Sequence, residues 1–216
     1  MDYAAARQHM IDSQIRTSKV TDERLIAALS TMPREAFLPE ASRGLAYVDR
    51  PVPVGTGRWL TEPMILARLI QIAQLKPSDK VLVVGGGLGY AGAVLAQIAA
   101  SVVMVESDSE LLARARATLG RLGLRNAVLE EGLLAQGHVK LAPYDVILID
   151  GGVEQVPLML SDQLATDGRL VTVVLERGIG RATIMHKTGG TISRRIAFDA
   201  AAALLPGFET PARFVF

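Results

Sequence analysis

Gly85, Gly87 and Gly89 follow directly on the apolar run Val81-Leu82-Val83-Val84. That spacing suits the holding of a nucleotide rather than the making of bonds. Glycines let a turn be tight and let a ligand approach the backbone, and the start of a following helix offers unpaired N–H groups. About 20 residues on, where such folds hold a ribose by its hydroxyls, Glu106 closes the apolar segment Val102-Val103-Met104-Val105. Loop and acid together predict an adenosine-containing cofactor. The absence of cysteine excludes disulfides, thiolate metal sites and a cysteine nucleophile. The histidines, His9, His138 and His186, have no metal-ligand spacing, so no metal is expected.

These residues need a scaffold, and the pattern from Lys80 onward supplies one. Strands at Val81–Val84, Val102–Glu106, Ala127–Glu130, Val146–Asp150 and Leu170–Val174 alternate with helices at Gly89–Ala99, Ser109–Leu119 and Glu154–Leu164. Such alternation predicts an α/β fold, Rossmann-like, with a mostly parallel sheet and helices on both faces. Gly123 and Gly168 stand where connections need positive φ. The turn Lys187–Thr191 and the segment Arg213-Phe214-Val215-Phe216 suggest an antiparallel finish.

Ahead of this core, residues 1–78 read as a helical extension and substrate loop packed on a cofactor-binding domain, 79–216. Tyr3, Ala6, Met10, Ile11 and Ile15 form one helical stripe over residues 3–16. Thr21-Asp22 caps a second helix that stops at Pro33. Tyr47 to Val54 looks extended and Gly55-Thr56-Gly57 is a loop. Thr61 can cap a third helix with Pro63 in its first turn, running to Leu75.

Composition narrows the function. The formal charge of +1 comes from 23 basic and 22 acidic residues, without long blocks of like charge, which gives no nucleic-acid signal. The N-terminus lacks the pattern of a signal peptide, and a cytoplasmic setting is the expectation. Val81 to Val105 carries no charge and is long enough to span a bilayer. Its clustered glycines and terminal β-branched residues favour strand, loop, helix, strand instead.

Several stretches carry a family resemblance. Val81-Leu82-Val83-Val84-Gly85-Gly86-Gly87-Leu88-Gly89-Tyr90 resembles motif I of S-adenosylmethionine-dependent methyltransferases, V-L-E-I-G-T-G-S-G-Y in the protein-L-isoaspartate O-methyltransferases. Pro33-Arg34-Glu35-Ala36-Phe37-Leu38-Pro39 is similar to that family's P-R-E-x-F-V-P. Leu45-Ala46-Tyr47-Val48-Asp49-Arg50-Pro51-Val52-Pro53-Val54-Gly55 is similar to L-A-Y-x-D-x-P-L-P-I-G. Ala142-Pro143-Tyr144-Asp145, Val156-Pro157, Gln163-Leu164 and Gly168-Arg169-Leu170-Val171 follow in family order.

The resemblance implies methyl transfer from S-adenosylmethionine to the carboxylate of isoaspartyl residues in damaged protein. A carboxylate is ionised at pH 7 and attacks without a general base. The implied cofactor contacts are Gly85, Gly87, Gly89, Tyr90, Glu106, Ser107, Gly132, Leu133 and Asp150, and the implied substrate contacts are Val54, Gly55 and Trp59. The family's substrate loop G-H-G-Q-T-I-S-Q-P matches Gly55-Thr56-Gly57-Arg58-Trp59-Leu60-Thr61-Glu62-Pro63. Thr61 thus stands for the active-site serine, either as a helix cap alone or as cap and substrate contact. Trp59 can fill the pocket or form its wall.

The family's motif I glutamate is Val83 here, and its G-D-G falls on Gly132-Leu133-Leu134. Losing two polar contacts weakens cofactor binding by roughly 2–4 kcal/mol, about 30- to 1,000-fold. Glu130, Glu131 and Asp150 are candidates for compensation, although Asp150 can also cap the next helix. The alternatives to an isoaspartyl methyltransferase are a methyltransferase with another acceptor, a catalytically degenerate binding module and, more distantly, a nicotinamide-dependent oxidoreductase.

Overall fold

A computed structural model describes residues 1–210; the expected terminal strand at Arg213–Phe216 lies outside them. Helix α1 (Tyr3–Met10) continues through a π-helical turn, Ile11–Ile15, and a 3₁₀ turn, Arg16–Ser18. The expected stripe is therefore one helical rod with a wide turn in it. Helix α2 (Glu23–Thr31) is capped by Asp22, whose carboxylate accepts from the N–H groups of Arg24 and Leu25.

The expectation of extended chain from Tyr47 is met only in part. Tyr47 to Arg50 turns, and strand β1 is Val52–Gly55. The Gly55-Thr56-Gly57 loop is the tip of a hairpin that runs straight into β2 (Arg58–Leu60). Helix α3 (Pro63–Ile72) follows with Pro63 in its first turn, and it ends earlier than expected.

The main sheet contains β3 (Lys80–Val84), β4 (Ser101–Glu106), β5 (Ala127–Glu131), β6 (Tyr144–Val153), β7 (Leu164–Glu176), β8 (Ile179–Thr188) and β9 (Thr191–Asp199), in the order β5-β4-β3-β6-β7-β8-β9. The first five are parallel and the last two antiparallel. Helices α4 (Tyr90–Ala96) and α5 (Ser109–Arg121) are the crossovers around β4. The expected helix at Glu154–Leu164 is a single short turn, Leu158–Asp162, because β6 runs on to Val153. Gly123 has φ +69°, but early in β7 the positive φ falls on Asp167, at 62°, rather than on Gly168.

Side chains alternate across the sheet. Val81, Val83, Val102, Met104, Val146 and Leu148 share a core with the N-terminal helices. Leu82, Val84, Val103, Val105, Ile147 and Ile149 form a second core on the other face. Strands buried on both faces read as continuous apolar runs, which is why they were legible. No helix of the described residues is long and apolar enough to cross a membrane.

Candidate active site

The strand order reverses between β3 and β6, and ligands of such sheets lie outside the carboxyl ends of the strands at that point. Val84 is level with Val105 and with Ile149. Gly85, Glu106 and Asp150 therefore lie side by side at this end of the sheet. Gly85, Gly87 and Gly89 have φ of +77°, +52° and +92°, values that strain any side chain. The turn thus needs its glycines.

Glu106 is fully buried, and its carboxylate is held from all sides. One oxygen accepts from the N–H groups of Ser107 (2.8 Å) and Asp108 (3.1 Å), and the other from that of Gly87 (2.7 Å). The second oxygen also accepts from Arg58 Nη2 at 2.6 Å. Arg58 is 3% exposed, and among the described residues its Nε and Nη1 have no partner.

The opposite wall is built by residues 200–208. The Gly152 N–H donates to the Ala203 carbonyl (2.7 Å), the Leu205 N–H donates to the Gly152 carbonyl (2.9 Å), and the Glu154 N–H donates to that of Phe208 (3.3 Å). Gly151 and Gly152 permit this approach: a methyl built on Gly151 would lie 2.5 Å from Leu205 Cγ. A methyl built on Gly85 would lie 3.1 Å from Leu205 Cδ1 and 3.4 Å from Arg58 Nη2. Two side chains from opposite directions thus meet over one glycine. The remaining cleft, lined by Trp59, Thr61, Asp150, Gly151 and Leu205 among others, measures about 20 Å³, room for about one water. The cradle has the backbone shape for an adenosyl group, and Arg58 and Leu205 stand over its Gly85.

Thr61 does not cap α3. That position is Glu62, whose side chain makes no cap bond, and Asp49 accepts from the Met64 N–H instead (3.3 Å). The Thr61 hydroxyl donates to Asp150 Oδ1 across 2.6 Å. Its single proton is therefore directed at Asp150. Asp150 caps no helix either, because it lies within β6. Burial pushes its carboxyl above the usual range. The Thr61 hydroxyl and the charges of Arg58 and Arg34 oppose that shift, and Glu106 adds to it.

Arg34, from the Pro33–Pro39 motif, ties this corner together. It is wholly buried, donating from Nε to the Ala46 carbonyl (2.6 Å) and from Nη2 to the Thr61 carbonyl (2.6 Å). Its guanidinium lies 4.7 Å over the Tyr90 ring. Tyr90 is thereby turned to the N-terminal helical layer, edge-on to Phe37.

The other expected site residues are dispersed. Val54 is half-buried, and Gly55 sits against Leu111. Trp59 is 43% exposed on the outer face of β2 while lining the cleft. The Gly132 N–H donates to the Glu106 carbonyl (3.1 Å), and Leu133 is 63% exposed. Val83 is sealed in the core. Glu131 is exposed, and Glu130 lies near His138 (3.9 Å) rather than in the cleft. Arg58, Arg34 and Leu205 were not among the residues singled out from sequence. For Arg58 the signal was available, since it replaces the glutamine of the family loop.

The sheet order and the glycine cradle define a Rossmann-like domain of the methyltransferase type. A model of the protein-L-isoaspartate(D-aspartate) O-methyltransferase family matches residues 5–200. A protein-L-isoaspartate O-methyltransferase of Koribacter versatilis is 38% identical over 213 residues, 98% of this chain and 96% of its own. Protein-L-isoaspartate O-methyltransferase 1 of Rhodopseudomonas palustris is 43% identical over 172 residues, 80% of this chain and 70% of its own. A solved structure named protein-L-isoaspartate O-methyltransferase superposes with a TM-score of 0.83 at 24% identity, over 93% of this chain and 66% of that one. A Plasmodium falciparum protein solved in complex with S-adenosyl-L-homocysteine superposes at 0.78 with 21% identity, over 92% and 97% of the two chains. The chain belongs to the protein-L-isoaspartate O-methyltransferase family, a family of S-adenosylmethionine-dependent methyltransferases.

Proposed function

We propose that this protein transfers the methyl group of S-adenosylmethionine to the carboxylate of isoaspartyl residues in damaged proteins. One observation carries this reading. Glu106 is fixed by three backbone N–H groups at the end of β4, with one oxygen turned to the glycine turn, where this fold holds a ribose. The cofactor supplies an electrophilic methyl on a sulfonium. The acceptor carboxylate is already ionised at pH 7, so no general base is required of Thr61 or Asp150. The β1–β2 hairpin, within residues 1–78, bears on the substrate side, and residues 79–216 form the cofactor unit. A cytoplasmic setting belongs to the same reading, on the absence of cysteine.

The test is transfer of labelled methyl to an isoaspartyl peptide and not to its aspartyl isomer. A cofactor-binding preparation that leaves the isoaspartyl peptide unlabelled refutes the activity.

The filled cradle favours a second reading, a non-catalytic relative that keeps the fold as a binding module. Val83 and Leu133, apolar where the family has acids, support it. Low-micromolar calorimetric binding of S-adenosylmethionine would remove it.

A further inference from the structure

We propose that Arg58 and Leu205 form an internal plug, filling the adenosyl cradle from two sides in the resting chain, so that a cofactor enters only by displacing both. The inference rests on the reading that this cradle takes S-adenosylmethionine, and it adds how entry is controlled.

The two plug residues come from separate pieces of chain, neither of them a strand of the seven-stranded sheet. Arg58 lies on a two-stranded hairpin outside the main sheet, with a register break between Pro53 and Gly55. Leu205 lies on the segment 200–208, joined to β6 through an isolated bridge at Gly152 and a few backbone hydrogen bonds. Either piece can lift without breaking the central sheet.

The Arg58 contact is also unequal. Glu106 needs no guanidinium, because backbone N–H groups already satisfy both oxygens. Arg58 does need more than it finds, since its Nε and Nη1 are buried without partners among the described residues. A buried guanidinium with one bond recovers little of its lost hydration. Ribose hydroxyls can take its place on Glu106 Oε2 while Arg58 regains water. Leu205, in turn, covers Gly85 and Gly151, the faces an adenosyl ligand must reach. Bound ligand and seated plug therefore exclude each other.

The test is calorimetric titration of S-adenosyl-L-homocysteine into the wild type, R58Q, L205A and the double variant, with ligand-free melting to confirm folding. Each single variant is expected to bind at least about tenfold more tightly than the wild type, and the double variant more tightly still. Hydrogen exchange of the wild type should quicken over residues 56–60 and 200–208 when ligand is added. Should R58Q fail to fold, L205A and the exchange measurement decide.

Dissociation constants equal within about twofold across the series, or slowed exchange at both segments, overturn the plug. If the wild type methylates isoaspartyl peptide and affinities do not change, the plug fails and the activity stands. If affinities rise and no variant transfers methyl, the plug stands and the activity fails. Absence of binding by every form refutes both.

Discussion

Arg58 donates to Glu106 across 2.6 Å with side chains 3% and 0% exposed, but the two partners depend on each other unequally. Glu106 has three backbone donors besides Arg58, and Arg58 has no other acceptor among the described residues.

Stability should follow that inequality. Removing one partner of a buried pair costs about 3–5 kcal/mol when the other is left uncompensated. E106Q removes the countercharge of the buried guanidinium and turns an amide N–H₂ against a donor, and is expected near that loss. R58M leaves a carboxylate still held by the backbone and is expected within about 1 kcal/mol of the wild type. Urea denaturation of the two variants checks this, and equal losses would contradict it.

Asp150 supplies a pH signature. Burial raises its carboxyl in the folded chain, so the folded state holds its proton to higher pH than the unfolded state does. Its contribution to stability is complete below the unfolded value and is lost as pH rises through the folded one. D150N should therefore be more stable than the wild type at pH 7.5, with the gain shrinking as the solution is acidified. Melting at pH 7.5 and pH 4 measures the difference, and a pH-independent effect would rule out this account.

Gly151 and Leu205 should show coupled substitutions. A methyl on Gly151 meets Leu205 Cγ at 2.5 Å, an overpacking of the kind that costs about 1–3 kcal/mol. L205A removes the obstructing atoms. G151A combined with L205A should thus be less destabilised than the sum of the singles, a coupling that a double-mutant cycle in urea reads directly.

Arg34 should tolerate no substitution by lysine. Its planar head bonds two carbonyls, of Ala46 and Thr61, and stacks on Tyr90. A lysine ammonium cannot reproduce that fork. R34K is expected to lower stability by about 2–3 kcal/mol, seen as a reduced midpoint in urea at unchanged slope. A variant as stable as the wild type would show that the motif acts by charge alone.

The sequence by itself determined the frame of this protein. Apolar runs such as Val81–Val84 and Val102–Val105 are buried on both faces, a pattern that survives any detail of packing. The glycine spacing fixed the turn, because the positive φ at Gly85, Gly87 and Gly89 is a local requirement. Glu106 was found by its distance along one β-α-β unit.

What occupies the cradle was decided only by the tertiary structure. Period-two alternation in β2 turns Arg58 and Leu60 inward and leaves Trp59 outside. Hydropathy alone would not bury Arg58 ahead of Trp59. The Arg58–Glu106 and Thr61–Asp150 contacts join residues 48 and 89 positions apart, and no local spacing encodes them. Leu205 lies in an irregular stretch without periodicity. It becomes part of the site because Gly151 and Gly152 leave room for a backbone to lie against β6.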